Sequence, residues 1–404
     1  MGASLTTLDP VLKELYPDNE VANTVYRDHP IIKLLPRDTK DSGDNRVTAI
    51  KYGNTNRVGA VFATAQANTG TTKTAKFNVT RIRDYAFATI ENEVILASAS
   101  DEGAMVRAVE FEVDGAIEKV KNRLASALFR NGTGSVGQIS SSSNVASTSI
   151  TLADKADAVN FEVDDIIQLT DSDGGTLRNS GNSIQITGID RTTGVITFGG
   201  ALSSSIAAAA AGDYIVIESD NNAKISGFSA WVPLSAPGAT SFFGVDRSVD
   251  PVRLGGNRFD GRGLPVREAL TQGIVRAALE SGRPDVCVVN HVQWAELSKS
   301  LQSHLYFPNA KQGDVNFEYL VLHSANGPLK IIADRFCQAD RAWLLEMDTW
   351  ELFSLGQVPR ILDLDGKYAR EATADAYEVR VGLYGQLRCK APGRNCVVRL
   401  DVPA

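Results

Sequence analysis

The sequence predicts an α+β chain in which a mixed body of helices and strands carries a long hairpin and a small inserted all-β unit. Three observations predict it. Residues 102–130 carry apolar side chains at helical spacing over 29 positions, and residues 46–85 read as two long strands around a polar tip. Residues 139–225 hold only short strand patterns and turns, after which helix and strand patterns alternate.

Taken in order, residues 1–45 read as an arm with a short helix near Leu8–Leu15 and prolines at Pro10, Pro17, Pro30 and Pro36. The hairpin follows. Val47, Ala49 and Lys51 alternate in its first strand, and Phe77, Val79 and Arg81 in the second, which runs through AKFNVTRIRDYAFATI. The stretch between, ATAQANTGTTKT, is polar and contains glycine, so the hairpin has too little apolar surface for a core of its own. Such a hairpin needs another surface to lie on.

Glu102 to Arg130 is the clearest helix. Val109, Val113, Ile117, Val120, Leu124 and Leu128 form one stripe, while Glu110, Asp114, Glu118, Lys121 and Arg123 occupy much of the remainder. Ser100 or Asp101 serves as its cap. At 1.5 Å per residue the helix runs ~43 Å. Asn131 and Gly132 suit a left-handed stop.

That stop disposes of a tempting motif. Residues 132–137, GTGSVG, match the glycine pattern of a dinucleotide-binding loop, which requires a strand before it and a helix after it. Here a helix precedes the glycines and the serine-rich run QISSSSNVASTS follows, so the glycines are a helix stop and a flexible exit. No cofactor is expected.

The inserted unit contains SITLADKADAVNFEVDDIIQLT, SIQITGIDRTTGVITFGG and GDYIVIES, with turn signals at SDGG and RTTG. This is the pattern of a small barrel or sandwich. Beyond KISGFSAWVP, the loop GGNRFDGRG at 255–263 reads as a mobile connector. A helix is then expected with Val266, Leu270, Ile274 and Ala277 on one face and Gly282 ending it. DVCVVN is a buried strand and HVQWAELSKSLQ a helix. FEYLVLHS, GPLKIIADRF and RAWLLEMDTWELFSLG give strands, and the tail AYEVRVGLYGQLRCKAPGRNCVVRL reads as two long strands around a proline–glycine turn.

Composition narrows the function. The chain has 404 residues, 43% of them hydrophobic and 22% charged, the balance of a globular protein with a sizeable core. No apolar run approaches the ~20 residues of a membrane span, and the N-terminus lacks the basic start and apolar core of a secretory signal. Gly2 and Thr6 match a myristoylation pattern only formally. The four cysteines form no CxxC. Cys389 and Cys396 flank a turn, but buried free thiols are the simpler reading. HExxH, GxSxG and phosphate-loop motifs are missing, there are four histidines, and DSDGG at 171–175 lacks the closing glutamate of a calcium loop. The aspartates of IADRF and DLDG read as turn caps. Trp231, Trp294, Trp343 and Trp350 sit in apolar patterns that suit core packing. These features argue against an enzyme and a metal site.

Charge is unevenly spread. Residues 27–83 hold eleven Lys/Arg against four Asp/Glu, a net +7, and residues 135–225 hold four against eleven, a net −7. Such segments attract each other, between copies if not within one. The candidate assembly contacts are therefore the basic side chains of the hairpin: Arg46, Lys51, Arg57, Lys73, Lys76 and Arg81.

Several stretches bear a family resemblance: GDYIVIESDNNAKISGFSAWVP, SFFGVDRSVDPVRLGG, GRPDVCVVNHVQWAELSKSL, GPLKIIADRFCQADRAWLLEMDTWELFSLGQVPRIL and ADAYEVRVGLYGQLRCKAPGRNCVVRL. Together with the layout of arm, hairpin, long helix and late α/β region, they resemble the major capsid proteins of tailed bacteriophages, of the Hong Kong 97 type, in a branch with a β-rich insertion. The resemblance implies an N-terminal arm at 1–45, an extended loop at 46–85 lying over a neighbouring subunit, and a peripheral domain with the spine helix at 86–134. It further implies an inserted β-barrel-like domain at 135–225, an axial domain at 226–362, and C-terminal strands at 363–404 returning to the peripheral domain.

By that resemblance the chain is a capsid subunit that self-assembles through pentamers and hexamers into an icosahedral shell. Its implied partners are further copies of itself, a separate scaffolding protein, a portal, a cement or decoration protein, and packaged double-stranded DNA in non-specific contact, with no membrane. The implied location is the virion, and the host cytoplasm during assembly. The alternatives are an encapsulin-like compartment and, from another class, a carbohydrate-active enzyme or binding protein.

Overall fold

The computed structural model describes residues 29–92, 102–301, 320–324, 327–362, 369–370 and 375–402, with side chains of the long helix described from residue 112 on. The expected helix near Leu8–Leu15, the cap at Ser100 or Asp101, and the DLDG turn lie outside these residues.

Four strands precede the long helix Glu102–Phe129: β1 (Arg37–Asp38), β2 (Asn45–Gly53), β3 (Lys73–Thr80) and β4 (Ile82–Glu91). Six short ones follow: β5 (Ser135–Gln138), β6 (Ser149–Thr151), β7 (Ile166–Thr170), β8 (Ile184–Asp190), β9 (Val195–Phe198) and β10 (Tyr214–Ile217). Next come β11 (Asn257–Asp260), helix Val266–Leu279, β12 (Val286–Val289), helix His291–Leu301, β13 (Leu320–Ser324), β14 (Gly327–Ala333) and β15 (Arg341–Leu345). The last five strands are β16 (Trp350–Ser354), β17 (Arg360–Ile361), β18 (Ala369–Arg370), β19 (Ala376–Cys389) and β20 (Cys396–Arg399).

The first sheet is organised on β19, which pairs with β16, β17, β18 and, over ten residues, antiparallel with β4. Alternate residues of β19, Val379, Val381 and Leu383, turn into one core with Val113, Ile117, Val120, Leu124 and Leu128 of the long helix. The apolar stripe read from the sequence is thus the buried one. Lys121, expected on the polar face, is buried as well. Its spacing explains this: it lies four residues after Ile117 and three before Leu124, on the stripe itself.

The second sheet runs β5-β10-β7-β8-β9-β6 and has its own core, which includes Ile139, Phe161, Ile167, Leu169, Ile186 and Ile215. Its two edges meet, because Ser140 N donates to Thr151 O (2.9 Å) and Ala153 N to Gln138 O (2.8 Å), so the sheet closes on itself. Gly132 and Gly134 both take positive φ at the entry (+89° and +86°), and Gly137 lies inside β5. The glycine motif therefore stops a helix and opens a strand.

The third sheet runs β11-β20-β15-β12-β14-β13. Helices Val266–Leu279 and His291–Leu301 pack on it through Ala269, Leu270, Ile274, Ala277 and Leu297. Three expectations change here. The segment 255–263 is no mobile connector, since its β11 pairs in parallel with β20. The tail is no hairpin: β19 belongs to the first sheet and β20 to the third, with a short turn at Pro392–Arg394 crossing between them. Accordingly Cys389 and Cys396 form no bridge, and all four cysteines are free and buried. Finally, the left-handed residue ending helix Val266–Leu279 is Ser281 (φ +63°), not Gly282. Gly282 is needed for another reason: a Cβ there would land on the backbone of Arg394.

The hairpin is a two-stranded sheet of β2 and β3 alone, registered from Asn45↔Thr80 to Gly53↔Lys73. The second strand does not continue to residue 90 as one piece. It breaks at Arg81, after which β4 leaves the hairpin for β19. Because Thr48 stands opposite Phe77 and Ile50 opposite Ala75, the inward face carries Thr48, Ile50, Phe77 and Val79. Val47, Ala49 and Lys51 point the other way.

Candidate assembly interface

The base of the hairpin is held by charge and by aromatic packing. Arg46 reaches Asp38 (2.8 Å), Asp41 (3.0 Å) and Glu351 (3.2 Å). Arg81 binds the other oxygen of Asp41 at 2.6 Å and the Gly43 carbonyl. Glu351 also accepts from Arg388 and from Lys390 (2.6 Å). Burial alone would push its carboxyl up, but the Arg388 and Lys390 hydrogen bonds outweigh that and hold it below its ordinary value. Arg253 donates to the Tyr52 carbonyl at 2.8 Å, tying the far end of β2 to the body. Phe77, fully buried, packs 5.3 Å from Trp231 and 6.4 Å from Phe242.

Of the six basic residues singled out from the sequence, Arg46 and Arg81 are thus committed to partners in their own chain. Arginine's fork geometry suits this role, since it engages several acceptors at once. Lys51, Arg57, Lys73 and Lys76 are exposed and have no carboxylate partner among the described residues. Residues 51–76 contain these four cations and not one Asp or Glu. The structure therefore splits the six into an internal pair at the base and an outward set of four toward the tip.

The charge pattern missed the apolar part of the tip. Val58, Val61 and Phe62 are exposed, the last to 81%, around a short helix Phe62–Ala67. Thr55 Oγ1 donates to the Gly70 carbonyl (2.8 Å) and Asn68 Nδ2 to the Val58 carbonyl (3.4 Å), closing the tip. The apolar letters were visible in RVGAVF. Assigning that stretch to the first strand hid their exposure.

Five of the eleven acids of the segment 135–225 are met by cations of the same chain. Lys119 pairs with Glu162 (2.9 Å) and Asp165, Arg123 with Asp220 (2.6 Å), Arg130 with Asp157, and Arg178 with Asp213 (2.7 Å). Lys224 joins Asp84 (2.7 Å) to Asp220 (3.2 Å), and Ser126 donates to Asn160 (2.8 Å). The long helix thus supplies Lys119 and Arg123, and Arg130 follows directly after its last residue. Burial nevertheless raises the carboxyls of Asp157 and Asp220 above their ordinary values. Asp164, Asp171, Asp173, Asp190 and Glu218 stay outward on this unit, Asp164 between the exposed Val163 and Ile166.

No chemistry converges elsewhere in the described residues. They hold no group of three or more His, Cys, Asp or Glu arranged to bind a metal, and no helix long and apolar enough to cross a membrane. In the DSDGG turn, Asp171 accepts from Thr176 N at 2.9 Å, ordinary turn bonding. Trp231, Trp343 and Trp350 are wholly buried and Trp294 partly so, which leaves none of them as an open sugar platform.

Comparison with known proteins gives one family match. Residues 202–380 match the family described as SU10 major capsid protein. No curated protein matches the chain. Among solved structures, the chain is similar to the Cyanophage A-1(L) capsid asymmetric unit, with 13% identity, 92% of each chain covered and a TM-score of 0.51. It is also similar to a protein of Gordonia phage Cozz, with 10% identity, 93% of this chain and 87% of that one covered, and a TM-score of 0.44. At these identities the first likeness shows the fold, which is that of phage capsid proteins.

Proposed function

We propose that this chain, which belongs with the major capsid proteins of tailed phages, forms the icosahedral shell around a double-stranded DNA genome through pentamers and hexamers. The observation that carries the reading is the capsid family match over 202–380, set on a fold shared with a phage capsid subunit. The physical logic agrees. A two-stranded hairpin with four uncompensated cations and an exposed apolar tip gains its buried area on a partner, and many repeats of a modest contact make a closed shell stable.

In this reading the division into arm (1–45), extended loop (46–85), peripheral domain (86–134), inserted domain (135–225), axial domain (226–362) and C-terminal strands (363–404) is functional. Its last segment serves two sheets, since β20 lies in the third. Lys51, Arg57, Lys73 and Lys76 face the neighbouring copy, while Arg46 and Arg81 set the angle at which the hairpin leaves the body. A scaffolding protein, a portal and a cement protein are the expected partners, and contact with DNA is non-specific.

The test is negative-stain electron microscopy of the purified chain, alone and co-expressed with the genes that flank its own. Closed shells, or rings of five and six, are the expected result. Shells filled with a protein cargo in place of DNA would move the reading to a compartment. A small monodisperse particle under every condition would overturn it.

A further inference from the structure

Two exposed apolar patches of opposite charge stand on this chain, and among the described residues neither is covered. The first is the hairpin tip, where Val58 (75% exposed) and Phe62 (81%) sit among Arg57, Lys73 and Lys76. The second lies on the β5–β10 unit. Val163 (51% exposed) and Ile166 (40%) stand there beside the exposed Asp164 and the half-exposed Glu162. Apolar side chains at such exposure, rimmed by one sign of charge, mark a contact surface more than a solvated face.

The two patches belong to different copies. Phe62 and Val163 both stay exposed in this chain, so neither patch covers the other and their meeting takes a second copy. Intrachain ion pairing takes up Arg46 and Arg81 at the hairpin base, and Asp157, Asp165, Asp213 and Asp220 of the β5–β10 unit, and so leaves these charges out of any contact between copies. Among the acids of the unit that remain exposed without an ion pair (Asp164, Asp171, Asp173, Asp190 and Glu218), Asp164 is the one flanked by exposed apolar side chains, Val163 and Ile166. Like charge excludes the other basic-aromatic surface, the outward face of β4 with Arg83, Tyr85 and Phe87, as a seat for the tip.

We propose that the hairpin tip of one copy docks on the Val163–Ile166 patch of a second copy, with Phe62 against Val163 and Arg57 facing Asp164. The proposal rests on the shell-forming reading and names the surface through which that reading works. Because the two patches differ, the contact is head-to-tail, and head-to-tail contacts of fixed rotation close into rings. The inserted β unit is then the neighbour's grip on each hairpin, and the unit's own ion pairs to the long helix pass the load to the body.

The experiment uses the whole chain carrying Phe62→Cys and Val163→Cys together. Both positions are exposed, so folding is not at stake, and the four native cysteines are buried and stay silent. Shells assembled from this variant and oxidised are expected to yield disulfide-linked ladders ending at five or six chains, with most subunits linked. A control pairing Phe62→Cys with Val249→Cys, also exposed, is expected to stay monomeric. Shells visible by microscopy whose subunits still run as monomers would overturn the docking while leaving the capsid reading intact. Equal ladders from the control would overturn it too. If the unmutated chain forms no shell at all, the capsid reading itself falls.

Discussion

Phe77→Ala tests whether the hairpin is held as described. Phe77 has no solvent exposure, and it packs on Trp231 and Phe242 where β3 crosses the body. Truncating a buried phenylalanine to alanine costs about 3–5 kcal/mol, the transfer of the ring plus the cavity it leaves. The loss falls on the hairpin in particular, because β2 and β3 form a sheet with each other. What attaches them to the body is side-chain packing, the Arg46 and Arg81 ion pairs, and the hydrogen bonds from Arg253 to the Tyr52 carbonyl and from Asn78 N to the Phe243 carbonyl. Hydrogen exchange read on peptides covering 45–53 and 73–80 reports that attachment. At 1.4 kcal/mol per tenfold, exchange there should speed by roughly 10²- to 10³-fold or more. Peptides of the third sheet should stay unchanged. Val47→Ala, on the exposed face of the same strand, should move nothing beyond about 0.5 kcal/mol. Exchange at 45–53 within threefold of the parent would mean that Phe77 does not anchor the hairpin.

Three further outcomes follow from single sites. Asp334 is buried and its carboxyl is pushed up to about 6 by desolvation. The folded state therefore holds a proton that the unfolded chain releases, and stability falls as pH rises from about 4 to 6, with a cost near 3 kcal/mol above that window. Asp334→Asn keeps the oxygen that accepts from Phe336 N (2.9 Å) and should gain that amount on the parent between pH 4 and 7, measured by chemical denaturation. Gly282→Ala should destabilise by several kcal/mol through its clash with Arg394, whereas Ser281→Gly should stabilise by about 1 kcal/mol by relieving a left-handed serine. Thermal unfolding of the pair separates close approach from backbone conformation. The thiols of Cys389 and Cys396 are pushed up to about 12 by burial, so a disulfide reagent should titrate none of the four cysteines in the folded chain and all four in denaturant.

Much of the fold was legible because periodicity is local. The stripe from Val113 to Leu128 and the buried run Val286–Val289 announce their elements within a few residues. What escaped depends on distant pairing. Nothing local in GGNRFDGRG says that Asn257–Asp260 joins a sheet, because its partner, Cys396–Arg399, lies about 140 residues on. The tail read as one hairpin because its turn letters, APG, suit a hairpin. The chain instead changes sheets there, and Asn395 secures the crossing: its side chain accepts from Trp350 Nε1 (2.8 Å) and Glu346 N (2.8 Å) and donates to the Ala391 carbonyl (3.0 Å). For the candidate interface, composition located the basic segment but not its division. Arg46 and Lys51 look equivalent in sequence. Only the approach of Asp38, Asp41 and Glu351 separates an anchor from a free cation.

That division has a consequence for how the subunit spends its charge. An ion pair at the surface contributes little, about 0–1 kcal/mol, whereas one held in a partly buried network with several acceptors resists separation far more strongly. The chain places its networks where two pieces of one copy must keep a fixed angle: Arg46 and Arg81 between hairpin and body, and Lys119, Arg123 and Arg130 between the long helix and the β5–β10 unit. It leaves isolated lysines and one arginine on the part that reaches outward, where long-range attraction speeds encounter and salt weakens it. Orientation is thus fixed before any partner arrives, and little entropy remains to be lost on docking. Salt should accordingly slow association of copies well before it loosens the hairpin from its own body, because the two rest on charges in different surroundings.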